Sequence, residues 1–162
     1  MSQRNYTLIG SLSQLLRARD WKMAVAESCT GGLIAASLTD LPGSSQWFCG
    51  GIVAYSNEVK TKILGVSQAT IEEQGAVSVQ TVEAMARKSR EIFHCELALA
   101  VSGVAGPKGG SPEKPVGTVC IAWVLGENVE SKRYQFKGNR QEVREKSVDF
   151  AIGGALDLLK LQ

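Results

Sequence analysis

Two uninterrupted apolar runs constrain the fold of this chain more than any other feature of its sequence. Residues 97–102 read LALAVS, and residues 118–125 read TVCIAWVL. Short continuous apolar runs of this kind are typical of strands that are buried on both faces. A sheet covered on both faces needs a layer of helices on each side, so the runs predict an α/β protein.

Segments with helical signals alternate with the predicted strands. Periodicity, caps and stop signals predict helices over residues 6–19, 32–41, 57–64, 68–74, 78–93 and 140–159, with Asn57 and Ser78 as N-caps. Further strands are predicted over residues 21–26, 48–56 and 129–137, the last at a sheet edge because it alternates. The link at 126–128 is long enough for a hairpin but not for a crossover, so the mostly parallel sheet is expected to be mixed.

Length and composition restrict the class of protein. The 162 residues correspond to one domain, expected to span 1–162, and the net charge of +2 gives no electrostatic argument for nucleic acid or membrane as a partner. No stretch approaches the ~20 apolar residues of a membrane-spanning helix. The amino terminus also lacks the pattern of a signal peptide, so a cytoplasmic protein is expected.

Metal-ligating side chains are few and scattered. The four cysteines form no C-x-x-C pair, so neither a metal site nor a cofactor is expected. We expect Cys49, Cys95 and Cys120 to be small buried hydrophobes. The single histidine, His94, ends a predicted helix at the sheet edge away from the candidate site, where a surface or helix-capping role is expected. A Ser-His-Asp triad is therefore excluded, and a serine nucleophile would need another base, such as lysine.

Three unusual loops follow predicted strands, at residues 27–32, 55–60 and 102–117. Sites in α/β sheets form at the carboxyl ends of strands, so these loops are expected to build one pocket. The first, which we call the serine loop (residues 27–32), places Ser28, Cys29 and Thr30 before two glycines at a strand-to-helix turn. Free N–H groups there can support a nucleophile and an oxyanion hole, although Ser28 or Thr30 as a simple helix cap remains an alternative.

The second loop contributes Tyr55, Ser56, Asn57 and Lys60. Lys60 falls in the first turn of the predicted helix, where the helix dipole disfavours an ammonium group. The dipole would lower the pKa of this lysine and make it a better base. An ordinary solvated lysine is the alternative.

The third loop, which we call the glycine-rich loop (residues 102–117), reads SGVAGPKGGSPEKPVG. Its glycines match neither a P-loop nor a dinucleotide-binding fingerprint, because they are spaced G-x-x-G-x-x-G. Glycines after a strand allow close backbone approach to a phosphate, and Lys108 and Lys114 can add positive charge. The alternative is an ordinary connection, although ordered loops of this length are usually functional.

Four longer motifs together resemble a known family. They are AESCTGG at residues 26–32, LPGSSQWFCGGIVAYSNEVKTKILGV at 41–66, GAVS at 75–78 and SGVAGPKGGSPEKPVGTV at 102–119. The chain resembles the CinA C-terminal domain family over nearly its whole length, and closely resembles the stand-alone nicotinamide-nucleotide amidases within it. The resemblance implies a three-layer α/β/α sandwich with a mixed five-stranded sheet.

The resemblance also implies an activity and a set of site residues. The activity is hydrolysis of the carboxamide of nicotinamide mononucleotide, which gives nicotinic acid mononucleotide and ammonia. The family pattern makes Ser28 the nucleophile, Lys60 its partner base and Tyr55 a lining residue. The expected substrate-binding positions are Thr30, Gly31, Gly32, Asn57, Ser102, Gly103, Gly106, Gly109 and Gly110. A homo-oligomer is expected because small α/β enzymes often assemble.

Three alternatives remain open on the sequence alone. Cys29 is a rival nucleophile, because a thiol at a helix N-terminus can have a lowered pKa. The chain can instead be a binding module that recognises a pyridine nucleotide without turning it over. It can also be an interaction domain of a competence- or damage-inducible protein, which only the family name suggests.

Overall fold

A computed structural model describes residues 3–162 and places the two apolar runs at adjacent positions in one sheet. The strands are β1 Met23–Glu27, β2 Phe48–Val53, β3 Leu97–Gly103, β4 Thr118–Leu125 and β5 Asn128–Gln135. Their order is β2-β1-β3-β4-β5. β1 is parallel to β2 and β3, whereas β4 is antiparallel to β3 and β5. The predicted mixed five-stranded sheet is confirmed, with β4 running against the other four strands.

Helices cover both faces of this sheet, as the apolar runs require. They are α1 Gln3–Ala18, α2 Leu33–Thr39, α3 Asn57–Lys62, α4 Gln68–Gln74, α5 Val79–Phe93 and α6 Arg140–Lys160. α1, α2 and α6 share one hydrophobic core with the sheet, and the segment containing α3, α4 and α5 shares a second core on the opposite face. The three-layer α/β/α sandwich is therefore confirmed. No helix in the described residues 3–162 has the length and apolarity needed to cross a bilayer.

The central strands β3 and β4 do not alternate between polar and apolar residues. All eight residues of β4 are buried. In β3, Leu97, Leu99 and Val101 belong to the core under α1, α2 and α6, whereas Ala100 belongs to the core under α5. The alanine side therefore carries less bulk than the leucine and valine side. Both faces are apolar because both are covered by helices.

Local sequence signals predicted most of the helix boundaries but not every N-cap. Ser78 caps α5 as predicted, with its side chain accepting from the N–H of Thr81. Asn57 was the wrong N-cap for α3, because Ser56 Oγ accepts from the N–H of Val59 at 3.2 Å and Asn57 is the first helical residue. A cap one residue earlier satisfies the first turn equally well, so the sequence did not distinguish the two.

Most of the cysteines and the single histidine lie where the sequence predicted them. Cys95 and Cys120 are buried as expected, but Cys49 is exposed, because β2 is an edge strand that turns this residue outward. His94 is exposed and ends α5 with a left-handed φ of 48°, which confirms its helix-capping position. The link at Gly126–Glu127 joins β4 to β5 as the predicted hairpin.

Two neighbouring glycines of α6 should respond in opposite ways to alanine. A Cβ on Gly154 would lie 2.3 Å from Cζ2 of Trp123, whose ring is buried and whose Nε1 donates to Ala151 O at 2.7 Å. A Cβ on Gly153 would have no atom of the described residues within 4 Å. We expect Gly153→Ala to raise the free energy of unfolding by about 0.5–1 kcal/mol. We expect Gly154→Ala to lower it by about 1–3 kcal/mol because of overpacking.

Urea denaturation of the two variants and the parent protein measures both changes. Because the glycines are adjacent in one helix, intrinsic helix propensity contributes equally to each substitution. Stabilisation by both alanines would show that α6 does not pack against Trp123 as described.

Candidate active site

The three predicted loops meet at one cavity beside the carboxyl ends of β1 and β3. This cavity, which we call the serine cavity, has a volume of about 220 Å³. It is lined by Ser28, Cys29, Tyr55, Asn57, Lys60, Ala76, Val77, Ser102, Gly103, Ala105 and Arg140. The parallel pairing of β1 with β2 and β3 brings the loops that follow these strands to the same edge of the sheet.

A buried lysine and a buried serine are in direct contact in the serine cavity. Lys60 Nζ lies 3.0 Å from Ser28 Oγ, and the Lys60 residue is only 2% exposed. The same Nζ donates to the carbonyl oxygens of Ala54 at 2.9 Å and Tyr55 at 3.3 Å. The alternative of a solvated surface lysine is therefore wrong, because α3 directs Lys60 inward. The predicted effect of the helix dipole is also wrong, because α3 is only six residues long and Lys60 lies in its last turn.

The surroundings of Lys60 favour the neutral amine. Burial lowers the pKa of Lys60 from its ordinary value of 10.5, and the neighbouring Cys29 opposes this effect. No ion pair within residues 3–162 joins Lys60 to a carboxylate. A neutral amine has two N–H bonds and one lone pair, which matches two carbonyl acceptors and one hydroxyl donor. The geometry therefore allows Ser28 O–H to donate to Nζ.

Glu27, the last residue of β1, holds the serine loop. Its carboxylate is buried and accepts from the backbone N–H groups of Gly32 at 3.0 Å, Ile34 at 3.1 Å and Ala35 at 2.8 Å. Three N–H bonds to one carboxylate at a helix N-terminus satisfy donors that would otherwise be unpaired. Glu27 thus takes the place of a cap. The alternative of Ser28 or Thr30 as a simple helix cap is wrong, because no side chain caps α2 at its N-cap position and Thr30 Oγ1 has no hydrogen-bond partner among the described residues.

This arrangement occupies the backbone N–H groups of two of the three predicted binding residues in the serine loop. Gly32 N–H is bonded to Glu27, and Gly31 N–H donates to Ser28 O at 3.0 Å. Neither donor is free to bind an oxyanion. Thr30 is completely buried and does not line the serine cavity, and its carbonyl oxygen accepts from Arg144 Nη2 at 2.8 Å. The sequence could not reveal this, because a carboxylate one residue before Ser28 gives no indication of which donors it accepts from.

Gly103 offers a different donor. Val104 N–H donates to Thr118 O at 2.8 Å, so Val104 and Thr118 form a hydrogen-bonded pair of the antiparallel ladder. The neighbouring Gly103–Val119 pair is then of the non-hydrogen-bonded type, and Gly103 N–H points away from β4, towards β1 and the serine loop. A Cβ on Gly103 would lie 2.7 Å from Val119 Cγ2 and 3.1 Å from Cys29 Sγ, so this close approach requires glycine.

Cys29 does not have the electrostatics of a reactive thiol. The residue is 6% exposed, and burial raises its pKa to about 12. The backbone hydrogen bond of the thiol, and to a smaller extent the nearby Lys60 and Arg144, only partly oppose this rise. The lowered pKa that a helix N-terminus suggested for Cys29 is therefore wrong, because desolvation outweighs the local positive charge.

Among the remaining predicted binding residues, Gly106 lines neither the serine cavity nor the depression of the glycine-rich loop, and its carbonyl oxygen accepts from Arg140. The others divide into two groups. Asn57, Ser102 and Gly103 line the serine cavity. Gly109 and Gly110 instead line a separate surface depression formed by residues 107–112, 115 and 116. Sequence proximity within the glycine-rich loop thus did not imply proximity to Ser28.

Arg140 is a lining residue that the sequence analysis missed. It is the first residue of α6, and its guanidinium donates to Gly106 O at 2.7 Å and to Tyr55 Oη at 3.0 Å. The same signal that pointed to Lys60, a cation in the first turn of a helix, was present at Arg140. Ala76 and Val77 also line the cavity, where Ser102 Oγ fixes Ala76 O at 2.7 Å.

Comparison with known proteins agrees with this architecture. The family model of the CinA C-terminal domain matches residues 5–159 of this chain. A protein named nicotinamide-nucleotide amidohydrolase PncC, from Pseudomonas putida, is 50% identical over 152 residues, which cover 94% of this chain and 95% of that protein. A CinA-like protein from Fervidobacterium nodosum is 50% identical over 139 residues, or 86% of this chain, but these are only 34% of its own length.

Solved structures show the same fold. The competence/damage-inducible protein CihA from Agrobacterium tumefaciens superposes with a TM-score of 0.95 at 36% identity, covering 99% of this chain and 98% of that one. A CinA superfamily protein from Klebsiella pneumoniae gives a TM-score of 0.94 at 33% identity, covering 98% and 99%. With the family model matching almost all of its residues, the chain belongs to the CinA C-terminal domain family.

Proposed function

We propose that this protein is an amidohydrolase that converts nicotinamide mononucleotide to nicotinic acid mononucleotide and ammonia. The observation that carries the proposal is the buried 3.0 Å contact between Lys60 Nζ and Ser28 Oγ at the serine cavity. The name of the 50%-identical Pseudomonas putida protein supports the choice of substrate, since the match spans both chains almost completely. Ser28 is the nucleophile and Lys60 its general base.

The first half-reaction transfers the acyl group to the protein. Neutral Lys60 accepts the proton of Ser28 as Oγ attacks the carboxamide carbon, which forms a tetrahedral intermediate. We assign the stabilisation of the negative oxygen to Gly103 N–H, and one such donor typically contributes ~3–4 kcal/mol. Protonated Lys60 then donates its proton to the leaving nitrogen, so that the C–N bond breaks and ammonia leaves.

The second half-reaction restores the serine. A water molecule gives a proton to Lys60 as its oxygen attacks the acyl-enzyme carbon, and Ser28 Oγ leaves with that proton. The product is the carboxylate of nicotinic acid mononucleotide. Lys60 acts as both base and acid in each half-reaction. Its two remaining N–H groups stay hydrogen-bonded to the carbonyl oxygens of Ala54 and Tyr55 throughout.

The test is ammonia release by the purified protein from nicotinamide mononucleotide, with a chelator present. We expect ammonia and nicotinic acid mononucleotide in equal amounts, measured by a coupled assay and by chromatography. Tight binding of the nucleotide without any ammonia would refute the amidase and favour the binding module. Neither binding nor turnover would favour an interaction domain.

A further inference from the structure

The serine cavity is too small for a whole nucleotide. Its volume of about 220 Å³ lies below the roughly 300–1,000 Å³ of pockets that enclose drug-sized ligands. A pyridine carboxamide can fill it, but the ribose and phosphate must then lie outside. A second depression of about 370 Å³ adjoins it, lined by Leu33, Arg140, Gln141, Arg144 and Glu145. Arg140 lines both spaces and therefore marks the route between them.

The second depression carries two arginines without acidic partners. Arg140 and Arg144 are four residues apart on α6, so their side chains lie on the same face of the helix. Within residues 3–162 neither forms an ion pair. The contacts of Arg140 are the neutral Gly106 O and Tyr55 Oη, and Arg144 donates to Thr30 O. Two uncompensated guanidinium groups favour an anionic ligand.

Further details agree with an anion at this place. Arg144 Nε is buried and has no hydrogen-bond acceptor among the described residues. The acidic residue of the depression, Glu145, accepts from Gln141 Nε2 at 2.8 Å, which restrains a carboxylate that would otherwise repel an anion. An arginine as first residue of a helix opposes the helix dipole, an unfavourable placement that a bound anion would offset.

We propose that Arg140 and Arg144 form the subsite for the 5′-phosphate of the substrate. This inference rests on the proposed function and deepens it, because it assigns the residues that select a nucleotide over the free base or the nucleoside. It moves the phosphate away from the glycine-rich loop, where Gly109 and Gly110 lie in another depression and Lys114 Nζ donates to Gln74 O.

The experiment compares nicotinamide mononucleotide with nicotinamide riboside, which differs only by the phosphate. We expect Arg140→Gln to lower kcat/KM for the mononucleotide about 10- to 100-fold, chiefly through KM, because charge-assisted hydrogen bonds are lost. For the riboside the same variant should lower kcat/KM by a smaller factor than for the mononucleotide, because only the contacts of Arg140 with Gly106 and Tyr55 are lost and no phosphate is present. Arg140→Lys should recover part of the lost affinity because it keeps the charge.

Two control variants separate this proposal from its rivals. Lys108→Gln removes a cation of the glycine-rich loop, and Arg87→Gln removes an exposed cation of α5 that lines neither the serine cavity nor the second depression. Neither should change the preference for the mononucleotide. A loss of preference in Lys108→Gln alone would place the phosphate on the glycine-rich loop. An equal loss on both substrates in Arg140→Gln would show that Arg140 only holds Tyr55.

The proposal remains testable if the protein proves inactive. In that case the proposed function fails, and calorimetry measures binding of the mononucleotide and the riboside to the same variants. Selective loss of mononucleotide binding in Arg140→Gln would still establish the phosphate subsite. Unchanged binding of the mononucleotide would overturn it.

Discussion

Replacing Ser28 by alanine is expected to lower kcat for ammonia release by about 10³- to 10⁶-fold, the loss typical of removing a nucleophile. Ser28 is the hydroxyl that Lys60 Nζ reaches, at 3.0 Å, and it lines the serine cavity. Alanine fills nearly the same volume, so the fold should persist. Steady-state kinetics with nicotinamide mononucleotide measures the loss, and circular dichroism confirms folding.

Cys29→Ala provides the matched control at the adjacent position. The thiol is buried with a pKa raised to about 12, so it is protonated at neutral pH and a poor nucleophile. We expect this variant to keep kcat within about tenfold, because only packing beside Gly103 changes. Activity that survives Ser28→Ala and disappears in Cys29→Ala would move the nucleophile to the thiol.

The fold could be predicted from the sequence because its strands and helices carry strong local patterns. β4 was predicted with the bounds it has, since eight consecutive residues are buried on both faces and flanked by turns. The hairpin to β5 followed from the length of its link alone. The order of the strands could not be predicted, because the placement of β1 between β2 and β3 depends on tertiary packing and not on any local stretch of sequence.

The site was predictable to the extent that topology determines it. Loops that follow parallel strands must meet at one edge, which is why Ser28, Lys60 and Ser102 line one cavity. Arg140 could not be predicted as a site residue, because its contact with Tyr55 spans 85 residues and comes from a helix on the other side of the sheet. The role of Glu27 could not be predicted either, because the N–H groups that a carboxylate binds depend on backbone geometry rather than on spacing in the sequence.

Lys60→Met is expected to lower kcat by about 10²- to 10⁴-fold, the contribution typical of a general acid–base group. Methionine has a similar length and fills the buried space that the Lys60 side chain occupies, so the loss would reflect chemistry rather than packing. Lys62→Met is the matched control on the same helix. Its side chain is 72% exposed and pairs with the exposed Glu58, so we expect kcat to change by less than about twofold.

The pH dependence distinguishes a base from a structural lysine. Only neutral Lys60 can accept the proton of Ser28, so kcat/KM should fall about tenfold per pH unit below the pKa of Lys60. Because burial lowers that pKa, the acidic limb should lie below the ordinary lysine value of 10.5, and activity should rise with pH until the amine is neutral. The residual activity of Lys60→Met should lack this limb, whereas Lys62→Met should keep it unchanged. A limb that survives in Lys60→Met would belong to another group and would leave Lys60 as a residue that only positions Ser28.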